Sequence, residues 1–350
     1  MNSILLLRLL LAFLVIFSHS WWVPTGGDAG EPLMQWTRGQ MNSGALAVDA
    51  FFVLSGLLVT ASWYRSPHFS DYLMKRMLRI YPAFIVLCLF QAFILVPLLD
   101  KDTHPVQLRG IAEVHGFALS LGGFGRETLP GFPVFSDHPF PALNASLWTI
   151  RPEFLCYLFL GFLGAVHALN HRGIRLGLFG VSWLLYTLQP DWEWHDLIKG
   201  ALGTFHYWPR FLVFFLAGVV LHDLGPAIPR SAGLRGCLAI ALLASMRHPT
   251  MLRLALPTLG AALLYLACFS PLLTRLSSRL TGDLSYGVYL YGFPCQQLLV
   301  SATGTQWNPY LFTGAAFLLT LLPAALSWWW IEKPALALRN RIAARQAPAG

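Results

Sequence analysis

The sequence predicts an all-α integral membrane protein of about ten transmembrane helices, with both termini in the cytoplasm. Three observations carry this expectation. The 350 residues are 56% hydrophobic and only 11% charged, with a mean hydropathy of +0.56, whereas a soluble domain carries about 25% charged residues. Apolar stretches recur along the whole chain, many near the roughly 20 residues that cross a bilayer as a helix. Lysine and arginine are also distributed unevenly between alternate connections. The net charge of +8 is therefore read as a positive-inside signature and not as a nucleic-acid footprint. The five cysteines, Cys88, Cys156, Cys237, Cys268 and Cys295, sit in or beside apolar segments. None has a metal-ligand spacing, so they read as small buried residues without disulfides.

Taken in order, the candidate spans are approximately 4–23, 45–63, 80–99, 147–168, 174–188, 209–224, 233–246, 250–270, 284–302 and 309–331. Span one lacks a charged leader and no small-residue cleavage site clearly follows it, so it is expected to be retained. It carries Arg8 near its start and His19 near its end. Eleven residues is close to a whole number of helical turns, so the two share a face about 16 Å apart along the axis. Either the arginine snorkels and the histidine sits at the interface, or both face a cavity, where ionisable groups in a span usually point.

Span two places Asp49 about one turn below the surface nearest His19. Ahead of span three, Lys75-Arg76-Met77-Leu78-Arg79 sets Arg76 and Arg79 three residues apart. On a helix these are neighbours whose planar forks suit one phosphate group; the alternative is a plain positive-inside anchor. The connection 100–146, with Leu129-Pro130-Gly131 and Pro139-Phe140-Pro141, is long enough to be functional and reads as an ordered cover. Span four opens Leu147-Trp148-Thr149-Ile150-Arg151-Pro152-Glu153, with Tyr157 one turn later. Glu153 should lie about 10 Å along that helix, level with His19 and Asp49. The competing reading pairs Glu153 with Arg151 or Arg210 and makes Asp49 a helix cap. Spans five to seven are short. Span nine, beginning Ser285-Tyr286-Gly287-Val288-Tyr289, puts Tyr286 and Tyr289 on one face, which fits either core packing or a polar cavity. Trp21, Trp22, Trp192, Trp194 and Trp208 cluster at one boundary, as an interfacial belt or, for one or two, as sugar-stacking faces.

The even-numbered connections and the tail hold fourteen lysines and arginines, Lys75, Arg76 and Arg79 among them; the opposite connections hold seven, spread over longer loops. This asymmetry assigns both termini to the cytoplasm and His19 to the outer end of span one. Residues 1–335 read as one transmembrane domain and 336–350 as a short basic cytoplasmic tail.

These residues resemble the membrane acyltransferase-3 family. Arg8 and His19 with ten residues between them, residues 48–56, Arg76-Met77-Leu78-Arg79, Asn144-Ala145-Ser146-Leu147-Trp148-Thr149 with Glu153 and Tyr157, Ser285-Tyr286-Gly287-Val288-Tyr289-Leu290, and Ile331-Glu332-Lys333-Pro334 match its motifs in order. One departure is Gly292, where members often carry a histidine. Some members add an extracytoplasmic esterase-like domain; with nineteen or so residues after span ten, none is expected here. The resemblance implies an O-acyltransferase of the bacterial inner membrane. Acetyl-CoA is the implied donor, no metal is required, and the acceptor is a hydroxyl of a lipid-linked or surface glycan such as O-antigen or exopolysaccharide. Arg8, Arg76 and Arg79 are expected to hold the donor. His19 would be general base or transient acyl carrier, with Glu153 and Asp49 orienting it. Trp148, Tyr157, Tyr286 and Tyr289 are candidate acceptor or oxyanion contacts. The competing classes are a glycan or lipid transporter, a membrane scaffold, and an acyltransferase for a small molecule such as a macrolide.

Overall fold

The structure is a computed structural model and describes residues 3–99, 133–135, 137–188 and 208–338. Among the described residues every regular element is helical. Leu129-Pro130-Gly131, Trp192, Trp194 and the tail beyond residue 338 lie outside them.

Helices stand at all ten predicted places. They are α1 (Ile4–Trp22), α2 (Ser43–Arg65), α3 (Phe69–Phe90), α4 (Ile150–Ala165), α5 (Arg172–Thr187), α6 (Trp208–Leu224), α7 (Ala232–Ser245), α8 (Pro249–Ala267), α9 (Ser285–Thr303) and α10 (Pro309–Ser327). Six helical stretches, those containing α1, α2, α3, α6, α8 and α10, are long and apolar enough to cross a membrane. The other four fall short for physical reasons. α4 and α5 have 16 residues each and α7 has 14, less than the bilayer's hydrocarbon thickness requires. α9 is long enough but polar, carrying Ser285, Tyr286, Tyr289, Gln296 and Gln297. The outer surface is apolar, with Leu98, Ile240, Leu318 and Leu322 exposed, as lipid contact requires. This is a multi-pass membrane protein.

Local chemistry fixes the helix starts. Asn42 caps α2 by accepting from Ala45 N at 2.8 Å, and Asn308 caps α10 through Tyr310 N at 2.9 Å. Glu31 is fully buried and holds two elements together. It accepts from Met34 N of the short helix Pro32–Trp36 and from Ser43 N at the start of α2.

α1 packs against α2, α9 and α10, and α2 lies along α6. The α2–α6 contact is set by two glycines. A Cβ on Gly56 would fall 1.9 Å from Phe215 O, and one on Gly218 would fall 2.1 Å from Val53 O. Small residues at these points let the backbones touch, the usual way helices associate where no hydrophobic effect drives them together. Gly292 meets the same constraint, with Ile16 of α1 only 2.9 Å from where its Cβ would lie. A histidine there would require the Ile16 side chain to move.

α4 is entered through a 3-10 turn, Ala145–Thr149. Asn144 holds this turn by accepting from Ser146 N and donating to Leu290 O of α9 at 3.0 Å. The neighbouring segment crosses the same end of the bundle. Gln297 Nε2 donates to Phe140 O and Ala142 O, each at 2.7 Å.

Candidate functional site

Among the described residues, α1 borders a polar cavity toward each of its ends. Arg8 lines the first and His19 the second, so the shared face expected of α1 is a cavity face.

The Arg8 cavity, of about 150 Å3, is lined by Arg8, Lys75, Arg76, Arg79, Ser55, Glu153, Tyr157, Tyr286 and Tyr289, among others. Two of its cations are organised around Asp283, in the turn before α9. Arg8 and Arg79 reach the same Asp283 Oδ2 at 2.8 and 2.6 Å. Asp283 Oδ1 accepts from Ser285 Oγ at 2.5 Å and from Ser285 N at 3.3 Å. Burial alone would raise the Asp283 pKa; the two guanidiniums and Ser285 outweigh it and hold the carboxyl well below the usual range. Arg79 also lies 3.5 Å from the buried Glu332 and over the Tyr286 ring. Arg76 donates to Ser62 Oγ at 3.3 Å and lies over the Tyr157 ring. Lys75 pairs with Asp71. The three predicted donor-binding arginines therefore converge on one cavity, two of them through a carboxylate that sequence reasoning missed. Asp283 gave no signal beyond lying in a short polar turn.

The His19 cavity, of about 370 Å3, is lined by His19, Trp22, Asp28, Asn42, Phe140, Ser146, Trp148, Arg210 and Tyr289, among others. Aromatic rings wall it. His19 packs edge-on to Trp22 at 4.8 Å and Phe293 at 5.3 Å, and Trp22 meets Phe140 at 4.3 Å. Asn42 donates to Asp28 Oδ2 at 2.7 Å. His19 Nδ1 is buried with no hydrogen-bond partner, and Gln296 Oε1, on the side chain that approaches the ring, is also unpartnered. The Gln296 amide nitrogen is held by Ile16 O and Ser20 Oγ, each at 2.9 Å. Gln296, Asp28 and Asn42 were not foreseen; a glutamine in an apolar span was the one available signal.

Neither predicted carboxylate partner touches His19. Glu153 lines the other cavity, where its Oε1 accepts from Ser55 Oγ at 2.9 Å and from Tyr157. The reason is the 3-10 turn, which advances about 2.0 Å per residue against 1.5 Å in an α-helix and so carries Glu153 deeper. Asp49 is paired with Arg210 of α6, at 2.8 and 3.0 Å. It is neither a helix cap nor a partner of His19, and Arg210, once a candidate for Glu153, is taken by it. A buried carboxylate is costly without such a cation. Tyr157 stays with Glu153. Tyr286 donates to Ile80 O at 2.9 Å, Trp148 faces the His19 cavity, and Tyr289 borders both cavities. Among the described residues no three His, Cys, Asp or Glu side chains cluster as a metal site would need.

The helical bundle thus holds one cavity lined by cations and one walled by aromatic rings. Comparison with known proteins gives the class. Residues 1–329 match the acyltransferase domain of the acyltransferase-3 family, and the chain belongs to that family. It is similar to an O-acetyl transferase of Shigella phage Sf6, 25% identical over 93% of each chain. It is 28% identical to nodulation protein 10 of Rhizobium leguminosarum bv. viciae, over 99% of this chain and 96% of that one. It is 26% identical to the peptidoglycan O-acetyltransferase OatA of Listeria monocytogenes, over 85% of this chain and 52% of that one. No solved structure matches. The protein is a membrane O-acyltransferase.

Proposed function

We propose that the protein moves an acetyl group from acetyl-CoA to a hydroxyl of a lipid-linked or surface glycan, in a bacterial inner membrane with both termini cytoplasmic. The observation that carries this is the division of the α1 face into a cavity lined by four cations and a cavity walled by Trp22, Phe140 and Trp148 around His19. Phosphates of a CoA suit the first. A sugar, recognised by aromatic faces and planar polar groups such as those of Asp28 and Asn42, suits the second. The phage and Listeria relatives, whose names are those of O-acetyl transferases, support the acetyl group.

In this reading the donor enters from the cytoplasm, where Arg76 with Arg8 and Arg79 holds its phosphates. His19 takes the proton of the acceptor hydroxyl through Nε2. Gln296 Oε1, unpartnered beside the ring, is the group that would receive a proton on Nδ1 as the site tightens around substrate, and so fix the tautomer that leaves Nε2 able to accept. The hydroxyl oxygen attacks the thioester carbonyl and the C–S bond breaks. The thiolate leaves and recovers the proton, giving an ester and free thiol. Glu153 acts apart from His19, holding Tyr157 and Ser55 in the donor cavity.

The test is mass spectrometry of surface polysaccharide from cells lacking the protein, or carrying wild type or His19→Ala. One acetyl mass per repeat, present only with wild type, is the expected result. Unchanged glycans in every strain would reject the glycan acceptor and point to a small molecule.

A further inference from the structure

The two cavities meet at Val48 and Tyr289, which line both. From Ser285 to Gln297 of α9, Tyr289 is the one residue that is not buried, because its ring stands between the two spaces. Its hydroxyl donates to Ser146 O at 2.7 Å and shares a 2.5 Å hydrogen bond with Thr149 Oγ1. Ser146 lines the His19 cavity and Thr149 the Arg8 cavity, so the hydroxyl is bonded to one residue of each. The frame around it is rigid. Val288 and Leu290 are fully buried, and Asn144 pins the 3-10 turn to Leu290 O. The Tyr289 side chain is held in its place by two neutral hydrogen bonds, which are individually weak.

We propose that Tyr289 determines which acyl groups the enzyme transfers, by standing as the partition past which the acyl carbon must travel to an acceptor beside His19. This rests on the reading that the donor occupies the arginine-lined cavity and the acceptor the His19 cavity. A ring hinged at Cβ and tied to Thr149 opens a passage that admits a two-carbon acyl group and rejects longer chains. The covalent step is unchanged: a C–S bond breaks, a C–O bond forms, and the hydroxyl proton ends on the thiol. Only the width of the path is set by Tyr289.

The experiment uses inside-out membrane vesicles containing the full chain and its endogenous glycan, supplied separately with acetyl-CoA and butyryl-CoA. Acyl mass added to glycan and thiol released are both measured. Wild type should strongly favour acetyl. Tyr289→Ala should raise the butyryl-to-acetyl ratio of kcat/KM about tenfold or more, the scale on which pockets discriminate by methylene groups. Tyr289→Phe, which keeps the ring, should keep the wild-type ratio even where total rate falls. Tyr289→Leu, narrower but still apolar, should shift the ratio in the same direction as Ala and decides the matter if Tyr289→Ala does not accumulate. A purely structural role would lower both donors alike. An unchanged ratio in Tyr289→Ala and Tyr289→Leu, or an equal shift in Tyr289→Phe, would overturn the proposal while leaving acetyl transfer intact. Wild-type vesicles that release no thiol from either donor would reject the acetyl-CoA reading, and this inference with it.

Discussion

At the scale of single residues, the site divides into groups that a sequence exposes and groups that only packing exposes. His19 stood out because an imidazole in an apolar span needs a reason, and it does face a cavity. His19→Ala should lower acyl transfer by at least about a hundredfold, the usual contribution of a general base, with unchanged protein in the membrane by immunoblot. Gln296 is the residue behind His19. Gln296→Leu should lower kcat by about tenfold with little change in KM for the acceptor, since it alters the tautomer and not the binding surface. Asp283 acts at the opposite end. Its carboxyl is held below the usual range, so its stabilising effect is complete above the unfolded pKa of about 3.9 and fades as pH falls toward the folded value. The melting temperature of wild type should therefore exceed that of Asp283→Asn by a constant margin between pH 5 and 8. That margin should shrink below about pH 4.

At the scale of elements, apolar runs made all ten helices legible, and cap residues such as Asn42 and Asn308 fixed where two of them begin. The depth of Glu153 was not legible. A 3-10 turn and the first turn of an α-helix look alike in Ala145-Ser146-Leu147-Trp148-Thr149, and the few ångströms between them decide which cavity the carboxylate enters. Partner choice was equally hidden, since Asp49 and Arg210 are 161 residues apart and meet only because α2 and α6 lie against each other. That contact rests on Gly56 and Gly218. Gly56→Ala and Gly218→Ala should each destabilise the protein by about 1–3 kcal/mol, the range typical of overpacking, read as a lower midpoint in thermal denaturation in detergent. Gly173→Ala, at a glycine of α5 with open space around it, should leave the midpoint within error.

At the scale of the whole molecule, six helical stretches are long and apolar enough to cross a membrane, while α4, α5 and α7 are shorter and α9 is more polar. α9 is set apart by its polar residues, of which Ser285, Tyr286 and Tyr289 line the Arg8 cavity. The orientation inferred from basic residues has its own check. An alkaline phosphatase fused after residue 350 should be inactive and a green fluorescent protein fused there should be bright, if the C-terminus is cytoplasmic; the reverse pattern would invert the assignment of donor and acceptor cavities.

The shared carboxylate of Asp283 also bears on how the enzyme parts with its spent cofactor. Because Arg8 and Arg79 already have an anion at 2.8 and 2.6 Å, the vacant enzyme has no strong electrostatic deficit to fill. On the proposed donor assignment, an arriving phosphate would displace an internal counter-ion, and a departing one would be replaced by it. Product and donor carry the same phosphates, so a site that gripped them with bare cations would be throttled by its own product. If the donor's phosphates sit at these arginines, as proposed, Asp283 would act as a place-holder that eases the departure of product. Free CoA should accordingly be a weak competitor of the wild type and a markedly stronger one of Asp283→Asn.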